Sequence, residues 1–234
     1  MRAVLIPGFS QMAAMWDGVV ADLPPAIDTT ALDVPDDLDF HATAEAIGAA
    51  GGRGAYIGYS MGGRLALSLA VTRPDLVTRL VLVSAAPGIR DAAERDARAT
   101  ADAALATEVR RDGVDSFLPR WLAQPMFATL PPEHTQARLR RAGNSATRLA
   151  HQLTALGQGT MPSYWDALKT LAMPVLIVTG TLDAKYESIG VAMATGIPDV
   201  RHVRIEGGHA LPLEQPTHLA AHLATFLGDA PGAA

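Results

Sequence analysis

A serine set between glycines is the strongest chemical signal in the sequence. Residues 58–63 read Gly-Tyr-Ser-Met-Gly-Gly, so Ser60 is the centre of a G-x-S-x-G motif. An apolar run at 55–57 precedes the motif and a helix-like stretch at 64–71 follows it, which is typical of a strand-to-helix turn that exposes a nucleophilic serine. Such a turn strains the backbone at its centre and requires glycine at the flanking positions. At a helix N-terminus, the free N–H groups also favour negative charge near Ser60.

A catalytic serine needs a base, and His209 is the best placed of the seven histidines. It follows Gly207-Gly208, in a loop directly after the strand-like run 200–205. Catalytic groups collect at the carboxyl ends of strands in open α/β sheets, so this position favours His209. The other histidines lie within that strand, on the helix after it, or away from a strand end: His202, His218, His222, His41, His134 and His151.

The third member of a triad would be an acid that orients the histidine. Asp183 follows the buried run 175–180, again at a carboxyl end, and the chain order serine, acid, histidine fits this motif. Glu206 and Asp166 remain alternatives, although Glu206 is only three residues from His209. The sequence therefore predicts Ser60, Asp183 and His209 as catalytic residues.

Negative charge that develops near Ser60 would need two backbone donors. The N–H of Met61, directly after the serine, is one candidate. The N–H of Phe9, in the Pro7-Gly8-Phe9 turn after the first apolar run, is the other.

Alternating strands and helices must position these residues. Short aliphatic runs bounded by Gly, Pro or Ser predict strands at 3–6, 55–57, 80–83 and 175–178, with two further strands at 28–34 and 200–205. Helix-like stretches of crossover length occur at 12–23, 40–50, 62–72 and 212–227. This alternation predicts an α/β fold with a mostly parallel, doubly wound sheet of about six strands.

The alternation stops once, at residues 87–165, which read as helix and turn. We expect an inserted helical lid there, with residues 1–86 and 166–234 forming the α/β core. The lid contains ten arginines and eight acids, a net charge of +2, and the rest of the chain has a net charge of −7. We expect residues 229–234 to be frayed.

Composition excludes several classes of protein. A chain of 234 residues with 49% hydrophobic and 18% charged residues can form one α/β domain and is not disordered. A net charge of −5 disfavours nucleic-acid binding, and zero cysteines exclude disulfides, zinc-cysteine sites and a thiolate nucleophile. The apolar runs are too short for a membrane span or a signal-peptide core, so we expect a cytoplasmic protein without membrane or nucleic-acid partners.

Arg64 lies one turn into the helix that follows Ser60. A cation there opposes the helix dipole, which makes the position electrostatically poor unless an anion binds nearby. A solvated arginine is the alternative interpretation.

Four segments of the chain carry a likeness to a known family. They are the serine motif with Arg64, the stretch Trp-Leu-Ala-Gln-Pro-Met-Phe-Ala-Thr-Leu at 121–130, Gly-Thr-Leu-Asp-Ala-Lys at 180–185, and Gly208-His209 with Glu214-Gln215-Pro216. Together they resemble the α/β-hydrolase superfamily. Within it, they resemble the menaquinone-biosynthesis synthases that form 2-succinyl-6-hydroxy-2,4-cyclohexadiene-1-carboxylate by eliminating pyruvate.

The resemblance implies an α/β-hydrolase fold, the same triad, no cofactor and no metal. It also implies a small anionic substrate held through its carboxylates, and proton abstraction without an acyl-enzyme. Substrate-binding positions match Tyr59, Arg64, Arg98, Trp121 and either Arg140 or Arg141, with Arg140 preferred.

Two other classes of function remain open. A serine carboxylesterase, thioesterase or C–C bond hydrolase would use the same residues on a small carboxylate-bearing substrate. A ligand-binding module on the same scaffold would not need an aligned base. Dehalogenase and epoxide hydrolase chemistry requires an acid at position 60, where this chain has serine. We expect a monomer or homodimer.

Overall fold

The computed structural model describes residues 1–228, so the tail at 229–234 lies outside the described residues. A six-stranded sheet forms the centre of the molecule, with the strand order β2-β1-β3-β4-β5-β6 and parallel pairing throughout. The strands are β1 Arg2–Ile6, β2 Asp28–Ala31, β3 Gly54–Tyr59, β4 Val77–Val83, β5 Val175–Gly180 and β6 Val200–Ile205. The predicted fold class and the predicted six strands are confirmed.

Nine α-helices are found in the described chain. They are α1 Asp17–Ala21, α2 Phe40–Gly51, α3 Met61–Thr72, α4 Ala92–Leu122, α5 Ala137–Ala142, α6 Ala146–Ala155, α7 Ala184–Ala194, α8 Leu211–Glu214 and α9 Pro216–Gly228. Short 3-10 turns occupy Ala13–Trp16, Pro125–Phe127, Pro132–His134 and Leu168–Thr170.

The helices cover both faces of the sheet because successive strand side chains point to opposite sides. On one face, Val4 and Ile6 of β1 pack in a core with residues of α2, α3 and α7. On the other face, Ala3 and Leu5 pack in a second core with residues of α1 and α9. The central strands are therefore buried on both sides, which explains their continuous aliphatic runs.

A helical segment, residues 92–155, joins β4 to β5 and contains α4, α5 and α6. A third apolar cluster holds α4 against α6, with Ala106 and Phe117 opposite Leu149 and Leu153. Gly113 has φ 76° and ψ 170°, so α4 breaks there into two helical stretches. The division of the chain into a core and a lid at 87–165 stays a prediction.

Three elements differ from the sequence-based prediction. Helix α7 was not predicted, because Val191 is apolar but exposed and Gly190 lies in the helix interior. The stretch predicted as one helix at 212–227 is divided between α8 and α9, at the residue before Pro216. The stretch at 12–23 is a 3-10 turn followed by the short α1.

Candidate active site

Ser60 occupies a strained turn between β3 and α3. Its backbone has φ 50° and ψ −108°, a conformation that non-glycine residues rarely adopt. A Cβ at Gly58 would lie 2.3 Å from the Gly62 carbonyl oxygen, and a Cβ at Gly62 would lie 2.3 Å from the Ile6 carbonyl oxygen. The prediction that both flanking positions must be glycine is confirmed by these backbone contacts.

The structure brings Ser60, His209 and Asp183 together from three different strand ends. His209 Nε2 lies 3.2 Å from Ser60 Oγ, and His209 Nδ1 lies 2.7 Å from Asp183 Oδ2. Since a carboxylate only accepts hydrogen bonds, Nδ1 carries the proton and Nε2 is free to accept from the serine hydroxyl. The arrangement can move a proton from Ser60 to His209.

Asp183 is held in place by the helix that it begins. Its Oδ1 accepts a hydrogen bond from the Tyr186 N–H at 3.4 Å, as the N-cap of α7. Its second oxygen therefore keeps a fixed direction toward His209. The alternative acids, Glu206 and Asp166, are exposed.

The imidazole of His209 is 1% exposed and lies against aromatic rings. Its ring centre is 4.5 Å from that of Tyr186, 5.5 Å from that of Tyr59 and 6.3 Å from that of Phe127. Burial raises the pKa of the Tyr186 hydroxyl, which also accepts a hydrogen bond from Gln158 Nε2 at 3.0 Å.

Glu214 holds the loop that carries His209. One carboxylate oxygen accepts from the Gly208 N–H at 2.7 Å, and the other accepts from the Ala210 N–H at 2.9 Å. The backbone on both sides of His209 is thus bound to one side chain of α8.

A cavity of about 610 Å³ opens beside Ser60 and His209, between the sheet and the helical segment. Phe9 and Met61, the residues predicted to supply the backbone donors, line it next to Ser60. Several polar side chains also line it, among them Arg64, Arg98, Asp102, Gln124, Gln152, Gln158 and Lys185.

Arg64 faces this cavity and is buried, with 7% exposure. The solvated-arginine interpretation is therefore wrong. Its Nη1 donates to the Leu156 carbonyl oxygen at 2.6 Å, and burial lowers the pKa of its guanidinium to about 10. Arg64 forms no ion pair within residues 1–228 and keeps donors for an anion.

Arg98 and Trp121 also line the cavity, and both belong to α4. Arg98 Nε donates to Asp102 Oδ1 at 2.8 Å, and the side chain remains 36% exposed. The ring of Trp121 lies 4.7 Å from that of Phe9, and its indole N–H is buried without a protein partner.

Tyr59 and Arg140 do not line the large cavity. Both face a small one of about 20 Å³ beside Ser60 and His209. Tyr59 is buried, which raises the pKa of its hydroxyl. Arg141 lies elsewhere, at the surface, with its Nε 3.1 Å from Asp115 Oδ1.

Sequence reasoning did not identify several residues of this site. Tyr186 could have been noticed, because it is three residues after Asp183, where an aspartate N-cap places the first helical turn. Glu214 was noted only as part of a segment that resembles the family, and nothing in the sequence assigned it a role. Gln152 and Gln158 carry no signal of their own, because their positions depend on how α6 packs.

The described part of the chain contains no group of three or more His, Asp or Glu side chains placed to hold a metal ion. Among residues 1–228, no helix is both long and apolar enough to cross a membrane.

A six-stranded parallel sheet with a strained serine turn, a histidine and an acid at its strand ends defines the class of protein. The chain belongs to the alpha/beta hydrolase family, whose model matches residues 3–223. Among its relatives is the 2-succinyl-6-hydroxy-2,4-cyclohexadiene-1-carboxylate synthase of Serratia proteamaculans (strain 568). That protein is 32% identical over 218 residues, which cover 91% of this chain and 83% of the relative.

A Bacillus subtilis (strain 168) protein, provisionally given the same synthase name, is 36% identical over 176 residues. The match covers 73% of this chain and 64% of the Bacillus protein. Among solved structures, MenH from S. aureus superposes with a TM-score of 0.91 at 27% identity, covering 97% of this chain and 93% of that one. A malate-bound esterase from Thermogutta terrifontis, at 23% identity and a TM-score of 0.79, shares the fold over 97% of this chain and 89% of its own.

Proposed function

We propose that this protein forms 2-succinyl-6-hydroxy-2,4-cyclohexadiene-1-carboxylate by eliminating pyruvate from a polycarboxylate cyclohexene intermediate of menaquinone biosynthesis. The observation that carries the proposal is the aligned Ser60, His209 and Asp183 opening into a cavity that contains a buried arginine. The synthase names of the relatives and the overall likeness to MenH support it.

In the proposed reaction, Ser60 acts as a base. His209 takes the hydroxyl proton of Ser60, and Asp183 stabilises the imidazolium that forms. Ser60 oxygen then removes a proton from a ring carbon of the substrate. The C–H electron pair forms a new ring double bond as the C–O bond to the enolpyruvyl group breaks. The leaving oxygen takes the proton held on His209, which restores the neutral imidazole, and the enol becomes pyruvate.

Negative charge develops on the succinyl carbonyl oxygen of the substrate, the oxyanion of this reaction, as the neighbouring ring carbon loses its proton. The N–H groups of Met61 and Phe9 would stabilise this charge, because both residues line the cavity next to Ser60. Met61 is the first residue of α3, so its N–H also lies at the positive end of that helix.

The carboxylates of the substrate would bind Arg64 and Arg98. Planar guanidinium groups bind carboxylates in a bidentate manner, which fixes the orientation of the ring relative to Ser60. The buried indole N–H of Trp121 and the buried Gln152 Nε2 lack protein partners and line the same cavity, so they are available to substrate oxygens.

The proposal places this reaction in the cytoplasm, on a monomer or homodimer, with residues 87–165 as a lid over the site. The position of α4 and α6 around the cavity supports the lid, since Arg98, Trp121 and Gln152 come from these two helices.

Pyruvate release from the purified pathway intermediate tests the proposal. We expect rapid release by the natural chain, and about a 10- to 100-fold loss of kcat/KM in Arg64→Met, because a charged hydrogen bond to the substrate is removed. Arg110→Met is the matched control, since Arg110 is an exposed arginine of α4. Release at the uncatalysed rate, together with hydrolysis of small esters or thioesters, would overturn the synthase assignment in favour of a serine hydrolase.

A further inference from the structure

The loop between β1 and the first 3-10 turn, residues 7–12, carries the Phe9 N–H and is called the oxyanion loop below. Its centre, Ser10, is fully buried and has φ 62°, a strained conformation for a residue other than glycine. Strain of this kind persists only where the surroundings hold the backbone in place. Ser10 therefore needs strong external contacts.

Those contacts come from one region of the chain, at and around α5 and α6. The Ser10 N–H donates to Gln152 Oε1 at 3.2 Å, and its carbonyl oxygen accepts from Asn144 Nδ2 at 2.9 Å. Its hydroxyl oxygen accepts from Arg140 Nη1 at 2.6 Å. All three polar groups of Ser10 are thus bound by side chains more than 100 residues away in the chain, at positions 140, 144 and 152.

Arg140 is also bound to the residue next to Ser10. Its Nη1 lies 3.3 Å from the Phe9 carbonyl oxygen, and its Nε donates to the Thr135 carbonyl oxygen at 2.8 Å. The side chain is 2% exposed. Its guanidinium therefore connects the oxyanion loop to the segment just before α5, using neutral oxygen acceptors of the protein.

The surroundings of Arg140 do not suit a substrate carboxylate. It faces the cavity of about 20 Å³, not the large one that contains Arg64 and Arg98. A volume of roughly 10–15 Å³ accommodates a single water molecule, so the small cavity is far below the size of a cyclohexene ring with carboxylates. Burial lowers the pKa of Arg140 to about 10, which still leaves it a cation at neutral pH.

We propose that Arg140, with Asn144 and Gln152, is a positioning group that holds Phe9 where its N–H can stabilise the developing oxyanion. Arg140 itself does not bind the substrate. These three side chains are called the clamp below. The inference rests on the proposed function for the identity of the oxyanion, and on the contacts of Ser10 for the existence of the clamp. A donor must lie about 2.7–3.1 Å from the oxyanion, so a small displacement of this loop removes its effect.

Two measurements on Arg140→Met test the clamp. Amide hydrogen exchange of the peptide that contains residues 7–12 reports loop order, and steady-state kinetics of pyruvate release separate kcat from KM. We expect exchange to accelerate at least about tenfold. We also expect kcat to fall about 10²-fold, with KM within about threefold of the natural chain, because an oxyanion donor acts mainly in the transition state.

Three further variants test the same contacts. Arg138→Met is the matched control, because Arg138 is an exposed arginine on the same helix, and it should change neither measurement. Asn144→Ala removes the hydrogen bonds to the Ser10 and Arg140 carbonyl oxygens but leaves the Arg140 guanidinium on Ser10, so it should accelerate exchange less than Arg140→Met does. Arg140→Lys should recover part of kcat, because one ammonium group can reach Ser10 Oγ but cannot also reach the Thr135 carbonyl.

Unchanged exchange in Arg140→Met would overturn the clamp. A KM raised tenfold or more, with kcat retained, would instead make Arg140 a substrate-binding residue. If the natural chain released no pyruvate, the proposed function would fail, but the exchange of residues 7–12 would still decide whether Arg140 orders the loop.

Discussion

Asp183 uses its two carboxylate oxygens for two different partners: one binds the His209 imidazole at 2.7 Å and the other caps helix α7. The orientation of the His209 imidazole is therefore linked to the start of a helix. Because α7 packs on β5 and the core beneath it, the acid is held by the fold and not by a mobile loop.

The first prediction concerns this acid. Asp183→Asn keeps an oxygen for the α7 cap but presents an amide N–H to His209, which favours the tautomer with the proton on Nε2. That tautomer cannot accept a proton from Ser60, so we expect pyruvate release to fall by up to about 10⁴-fold with the thermal midpoint little changed. Asp166→Asn, at an exposed position, is the control. Activity within tenfold of the natural chain would show that Asp183 does not set the tautomer.

The second prediction concerns Glu214, which binds the backbone N–H groups on both sides of His209. Glu214→Gln can offer only one acceptor, so one buried N–H loses its partner at a cost of about 1–3 kcal/mol. We expect a lower free energy of unfolding in urea and a decrease in kcat of about tenfold or more, because His209 becomes less well positioned. Glu133→Gln makes the same chemical change at an exposed position and should change neither quantity. Equal stability of the two variants would contradict this role for Glu214.

The third prediction concerns the stability cost of Arg64. Burial lowers the pKa of its guanidinium to about 10, well below the ordinary pKa of arginine in the unfolded chain, so the unfolded chain holds the proton more tightly than the folded chain does. Burial of the charged guanidinium therefore destabilises the folded state at every pH below about 10, where Arg64 is charged in both the folded and the unfolded chain. We expect Arg64→Met to unfold at a thermal midpoint no lower than that of the natural chain at pH 7, while it binds anionic ligands more weakly. A clearly lower midpoint would mean that the hydrogen bond to Leu156 outweighs the cost of burying the charge.

The fourth prediction concerns the serine turn. In Gly62→Ala, the added methyl group would lie 2.3 Å from the Ile6 carbonyl oxygen and 2.6 Å from that of Pro7, and neither backbone group can move aside easily. We expect a loss of roughly 1–3 kcal/mol or more in unfolding free energy, together with loss of activity. Gly196→Ala is a suitable comparison, because its added methyl group would meet no atom closer than 3.7 Å. A Gly62 variant as stable as the Gly196 variant would refute the steric argument.

Much of the core could be predicted from the sequence, because its signals are local. Each central strand is a short aliphatic run, and the rule that functional groups follow strand ends selected Asp183 and His209 from many acids and histidines. Gly58 and Gly62 could be assigned their roles because a turn as tight as that at Ser60 imposes its own steric demands.

The rest depends on tertiary packing. The sequence placed Arg64 correctly on the helix after Ser60, but only the structure shows that it points into a cavity and not into solvent. Likewise, Arg140 and Arg141 are neighbours in the chain, yet one is buried against Ser10 and the other lies at the surface. Gln152 contacts Ser10 across 142 positions, a separation that no local pattern encodes.

In the proposed reaction, Ser60, activated by His209, removes the proton that starts the elimination. Pyruvate release by Ser60→Ala in a single turnover, with enzyme in excess over the cyclohexene intermediate, tests this most directly because binding and product release are separated from chemistry. We expect the rate to fall by about 10²- to 10⁴-fold, the contribution of a positioned general base, while the variant still binds the intermediate. Release by Ser60→Ala within tenfold of the natural chain would contradict it.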